Sequence, residues 1–254
     1  MIRCDSPLAA RVRESPNHDA RAGVARPDIV LLHYTGMEST AAALDRLCDR
    51  QAAVSSHYLV CEDGTVWQLV AEARRAYHAG VSWWENSRDI NSRSIGIEIG
   101  NPGHAFGYPE FPTRQIDAVI ALCRDIVVRH EIRPDRVLAH SDVAPSRKQD
   151  PGEKFPWRRL SKAGAGLWVE PAEIAAGAAA DRPNTEPETR GLQRALARYG
   201  YGIEVTGNYD AATADVVTAF QRHFRPQRVD GIADASTLAT LDRLLTAKAR
   251  LAPT

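Results

Sequence analysis

The sequence predicts an α+β fold: a central mixed β-sheet flanked by helices, followed by a small C-terminal three-helix bundle. Three observations carry this. Over residues 1–170, short apolar runs alternate with helical stripes, the pattern of one sheet with helices packed on it. Residues 171–187 are rich in Ala, Pro and Glu and poor in large apolar groups, which marks a linker. Residues 188–249 carry helical stripes only. A chain of 254 residues suits one large domain plus one small one.

In chain order, 28–33 (Asp-Ile-Val-Leu-Leu-His) reads as a buried strand. Residues 40–50 read as a helix with Leu44, Leu47 and Cys48 on one face, and 56–61 and 94–99 as two more strands. The long stripe of Ile116, Val119, Ile120, Cys123, Ile126 and Val127 makes 113–130 a helix, with Thr113 in an N-cap role. A last strand covers 136–140. Part of the Ala run in the linker suits a short helix. In the tail, Leu192, Ala195, Leu196 and Tyr199 form one stripe that Gly200 ends. A repeat follows: Val205-Thr-Gly-Asn-Tyr-Asp210-Ala-Ala-Thr213 matches Val229-Asp-Gly-Ile-Ala-Asp234-Ala-Ser-Thr237. Each copy puts Gly in a turn and Asp at an N-cap, and each opens a helix.

Composition excludes several classes. With 44% hydrophobic and 25% charged residues the chain is globular. Lys+Arg 32 balances Asp+Glu 32, so there is no basic footprint for nucleic acid. Apolar runs such as Ile29–Leu32 are far short of the roughly 20 residues a membrane span needs. The start, Met1-Ile-Arg-Cys4, lacks the apolar stretch of a secretory signal, so a cytoplasmic location is expected. The cell envelope is the alternative if the sequence is a piece of a longer one. The cysteines Cys4, Cys48, Cys61 and Cys123 form no C-x-x-C pair, and Cys48 and Cys123 read as small core hydrophobes.

His33 and His140 each end a strand, a position that opens into a crevice. Arg147-Lys148-Gln149-Asp150-Pro151-Gly152 puts a cation two residues before a carboxylate at a turn. Two imidazoles and one carboxylate would supply three zinc ligands and leave a fourth position for water. Glu98, among apolar neighbours, is either a general base with a raised pKa or a salt-bridged carboxylate. Lys148 is either a catalytic cation or a surface charge. Sequence separation does not say whether His33 and His140 meet.

Six segments occur in order: 32–35 (Leu-His-Tyr-Thr), 56–60 (Ser-His-Tyr-Leu-Val), 77–80 (Tyr-His-Ala-Gly), 94–98 (Ser-Ile-Gly-Ile-Glu), 139–142 (Ala-His-Ser-Asp) and 148–152 (Lys-Gln-Asp-Pro-Gly). Together they resemble the zinc-dependent N-acetylmuramoyl-L-alanine amidases of the type 2 family, over about residues 25–170. The stretch 98–108 resembles the AmiD-like branch. The tail resembles the three-helix peptidoglycan-binding module. The resemblance implies one Zn2+ per chain, held by His33, His140 and Asp150, with Glu98 and Lys148 catalytic. It implies hydrolysis of the amide joining the lactyl group of N-acetylmuramic acid to L-alanine, in peptidoglycan or muropeptide fragments. Glu98 would move the proton, and Lys148 would stabilise the oxyanion. His78, Trp83, Trp84 and Asn101 are expected near substrate, with one of the two tryptophans stacking on sugar and the other covering core. His57 is expected to be a hydrogen-bonded wall or core residue. Trp157 and Trp168 are expected to be core plugs beside the metal loop. The competing class is a peptidoglycan-binding or sensing protein whose metal is structural.

Overall fold

The computed structural model describes residues 4–174, 183 and 185–251. The strands are β1 (Arg11–Val12), β2 (His18–Ala20), β3 (Ile29–Tyr34), β4 (Tyr58–Val60), β5 (Val66–Gln68), β6 (Arg74–Ala76), β7 (Ser94–Ile99) and β8 (Val137–Ala139). The helices are α1 (Thr40–Cys48), α2 (Ile90–Arg93), α3 (Thr113–His130), α4 (His140–Val143), α5 (Trp157–Lys162), α6 (Glu186–Tyr199), α7 (Ala211–Phe224) and α8 (Ala235–Ala249). Six strands form a mixed sheet in the order β1-β5-β4-β7-β3-β8, and β2 pairs with β6 apart from it. The central strands β4, β7, β3 and β8 run parallel, while β5 is antiparallel to β4. Among the described residues no helix is long and apolar enough to cross a membrane.

The core strands fall where the apolar runs place them. β3 is continuously apolar because both of its faces are covered. Val30 and Leu32, with Ile95, Ile97 and Ile99 of β7, pack against Ile116, Val119, Leu122, Cys123 and Ile126 of α3 and Trp157 and Leu160 of α5. Ile29 and Leu31 point the other way, into a cluster with Leu192, Leu196, Tyr199, Phe220 and Phe224 of the C-terminal helices. The tail therefore does not sit apart. It lies on the sheet, and one apolar cluster runs through both. The Ala run 175–180, where a short helix was expected, lies outside the described residues.

Element ends differ in small ways. The 56–61 strand shortens to β4, the 136–140 strand ends at Ala139, and α1 stops at Cys48. Pro112, not Thr113, is the N-cap of α3, and no side chain caps that end. The short strands β1, β2, β5 and β6 carry too few apolar residues to show a strand pattern. All four cysteines are free; Cys123 is buried and Cys48 half-buried.

Within the tail, Asp210 and Asp234 cap α7 and α8 through the Thr213 and Thr237 N–H groups. Gly207 and Gly231 turn the chain at φ 83° and 71°. The repeat extends further than its motif. The Gln193 side chain accepts from Gly207 N–H and donates to the Asn208 carbonyl; Gln221 accepts from Gly231 N–H and donates to the Ile232 carbonyl. Each loop is thus fastened to the preceding helix by one buried amide.

Candidate metal centre

Strand register brings the site together. His33 of β3 lies beside Glu98 of β7, so the two side chains leave the same face of the sheet. β8 pairs with β3 up to Leu32 beside Ala139, which puts His140, the first residue of α4, next in that row. Asp150 arrives on the following loop. His33 Nδ1 is 2.8 Å from His140 Nδ1 and 3.1 Å from Asp150 Oδ2, and His140 Nδ1 is 3.0 Å from Asp150 Oδ2. All three residues are buried.

The hydrogen bonds behind these atoms fix where the protons are. Ser94 Oγ donates to the Ile90 carbonyl at 2.6 Å, so it accepts from His78 Nε2 at 3.3 Å. His78 Nδ1 is then bare and accepts from His33 Nε2 at 3.1 Å. His140 Nε2 donates to the Ala79 carbonyl at 3.0 Å. Both Nδ1 atoms are left as lone pairs. They converge with a carboxylate oxygen on one point, with no proton among them. A cation is what satisfies such a set, and donor atoms about 3 Å apart suit three bonds of roughly 2.0–2.2 Å to one ion. Burial, then the neighbouring His140, pushes His33 down to about 4, which keeps it in the neutral ligand form at pH 7. Asp150 is buried beside these lone pairs and brings the third donor, a carboxylate oxygen.

Glu98 behaves in the opposite way. Burial, then the Asp150 charge, pushes it well above the ordinary carboxylate range, against a smaller pull from Lys148. Its Oε2 is buried and has no hydrogen-bond partner. Glu98, Lys148 and the three convergent residues line one cavity of about 380 Å³, together with Tyr34, Arg46, Ser55, Tyr77 and His78.

The other expected site residues are placed unevenly. His78 lines the cavity, but both of its ring nitrogens are engaged in orienting His33. Gly96 makes room for that ring: a Cβ there would come within 2.6 Å of it. His57 is fully buried, with Nδ1 accepting from Gly96 N–H. Two expected substrate contacts need correction. Trp84 is the tryptophan of the pair that covers core: it is fully buried against Tyr199 and Tyr201, so no sugar reaches it. Asn101 is buried too, and its amide is spent on its own loop, donating to the Pro109 carbonyl and accepting from Gly103 N–H. Trp83 is half-buried beside Gly202, under Arg88, in a separate cleft with Tyr201. Trp157 is buried and stacks on His223 of α7, while Trp168 packs half-buried near Phe224. Sequence reasoning missed Asp142. It is fully buried and accepts from Ala139 N–H at the start of α4. A carboxylate three residues past a strand end was the available signal.

Comparison with known proteins places the whole chain beside characterised relatives. Residues 23–153 match the N-acetylmuramoyl-L-alanine amidase family, and residues 185–241 match a peptidoglycan binding domain. N-acetylmuramoyl-L-alanine amidase AmiD of Escherichia coli K12 is 39% identical over 238 residues, 89% of this chain and 85% of that one. The structure of E. coli AmiD with anhydro-N-acetylmuramic acid-L-Ala-D-γ-Glu-L-Lys superimposes with a TM-score of 0.75 at 38% identity, covering 90% of this chain and 92% of that one. AmpDh3 of Pseudomonas aeruginosa, in complex with anhydromuramic pentapeptide, gives a TM-score of 0.73 at 33% identity, covering 93% and 96%.

Proposed function

The chain belongs to the N-acetylmuramoyl-L-alanine amidase family, and from that premise we propose that it hydrolyses the amide between the lactyl group of N-acetylmuramic acid and L-alanine, with zinc held by His33, His140 and Asp150. The observation that carries this reading is the convergence of two bare Nδ1 lone pairs and one carboxylate oxygen beside a carboxylate left without a partner. Bound zinc would supply Lewis-acid polarisation and a lowered pKa for water. Glu98 would take the water proton and return it to the departing L-alanine amine; its high proton affinity suits that transfer at neutral pH. Lys148 would donate to the oxygen that gains charge as the carbonyl becomes tetrahedral. Peptidoglycan or its muropeptide fragments are the substrate class, and residues 185–241 would hold the enzyme to the polymer.

The test uses purified protein, with zinc or with chelator, on a disaccharide tetrapeptide, with products identified by mass. Free tetrapeptide and an intact sugar, lost on chelation, are expected. No release from a zinc-loaded preparation moves the reading to a binding protein. Cleavage after L-alanine overturns the bond assignment.

A further inference from the structure

Asp142 lies two residues past His140, and its bonding capacity is filled largely from the C-terminal tail, by Tyr201 of the loop after α6 and His223 of α7. The Tyr201 hydroxyl donates to Oδ1 at 2.7 Å, and His223 Nδ1 lies 2.7 Å from Oδ2, the oxygen that also accepts from Ala139 N–H. Both partners are held firmly. The His223 ring sits 3.6 Å from Trp157 and 3.8 Å from Phe224, centroid to centroid. Tyr201 packs edge-on against Trp84. The turn that Asp142 closes carries more than His140. Ser141 N–H donates to the Asp150 backbone carbonyl at 3.1 Å, so α4 fixes one convergent residue by sequence and a second by hydrogen bond.

We propose that the helical tail is part of the metal centre: Tyr201 and His223 are positioning residues that, through Asp142 and α4, hold His140 and Asp150 in place. The proposal rests on the reading of His33, His140 and Asp150 as zinc ligands. Its physical basis is that a fully buried carboxylate stripped of two donors must find others or turn toward water. Either movement releases Ala139 N–H and loosens the turn.

The test uses the full chain with Tyr201→Phe and His223→Phe, alone and combined. Both keep an aromatic ring and remove the donor. The readouts are zinc loss to a chelator, measured well below the unfolding temperature, and kcat and KM on a muropeptide. Lys248→Met is the control. It breaks the bonds to Glu85 and Asp135 across the same interface, and one to the Tyr199 carbonyl within the tail, without touching Asp142. In the combined variant zinc loss should accelerate at least about tenfold, the usual effect of removing an outer-shell support, with kcat lowered and KM within about twofold. His223→Asn, which returns an N–H near the Nδ1 position, should restore slow loss. Lys248→Met should lower Tm and leave zinc loss unchanged. Wild-type zinc loss in the combined variant, or equal acceleration in Lys248→Met, overturns the proposal. If the combined variant does not fold, Tyr201→Phe alone carries the same test. A wild-type chain that holds no zinc overturns the ligand reading itself, a separate result.

Discussion

Two carboxylates have opposite surroundings, Glu72 buried in the turn after β5 and Glu98 half-buried on β7. Glu72 is met on all sides: Tyr58 Oη donates at 2.6 Å, Arg129 at 2.5 and 2.7 Å, and His130 Nε2 lies at 2.6 Å. Burial opposes its charge, but Arg129, His130 and Tyr58 outweigh that and hold it down at about 2. Glu98 has one bare buried oxygen and is pushed upward. Beside Glu98, donor atoms of His33, His140 and Asp150 converge on one point. Matched donors and acceptors mark a cluster that holds the fold. Surplus lone pairs aimed at one point mark a cluster that holds something else.

This contrast can be broken by substitution, starting with the largest effect. Glu98→Gln keeps the shape and removes the base; kcat should fall by about 10²–10⁴ with zinc content and Tm little changed. A Tm loss without a kcat loss makes Glu98 structural after all. Lys148→Ala should lower kcat by about 10²–10³ with KM nearly unchanged; unchanged turnover removes Lys148 from the chemistry. Glu72→Gln should do the reverse, costing about 3–5 kcal/mol in urea unfolding because Arg129 loses its buried partner, while zinc stays bound. Acid sharpens the point. The folded pKa of Glu72 lies below its unfolded value, so its contribution is present above about pH 4.5 and lost as pH falls toward 2. The gap between wild type and Glu72→Gln should narrow by about 3 kcal/mol over that window. A gap that stays constant with pH would show that the carboxylate charge is not what stabilises. Smallest of all, Tyr58→Phe removes one donor of several to Glu72 and should cost only about 1 kcal/mol, read by the same unfolding curves.

The separate site residues were legible because strand ends and turns are local signals; that they form one set was implied by the family resemblance, not by spacing. His33 and His140 stand at the ends of apolar runs, and register alone carries Glu98 to their side. The helical repeat was legible for the same reason, since each cap and turn lies within a few residues. What escaped depends on distant parts of the chain meeting. Tyr201 and His223 lie 59 and 81 residues from Asp142, and no spacing rule links them. The sequence of the Trp83-Trp84 pair divides it between sugar and core without saying which is which; the tail settles that Trp84 is core, because it packs against Tyr199 and Tyr201. Asn101 escaped because its partners are backbone groups of its own loop, which residue types do not announce.

The two glutamine-fastened loops of the tail differ in one respect. From Gln221 to Gly231 the chain takes 10 residues, and from Gln193 to Gly207 it takes 14. The longer copy includes Gly200, Tyr201 and Gly202, and both glycines lie where a Cβ would strike Trp84 or Trp83. The duplicated half-unit is thus asymmetric at the place where it touches the Trp83-Trp84 loop. An anchor that tolerates either loop length leaves the intervening chain free to vary. A self-contained repeat can acquire a neighbour in this way, by lengthening one loop while its fastening stays as it was.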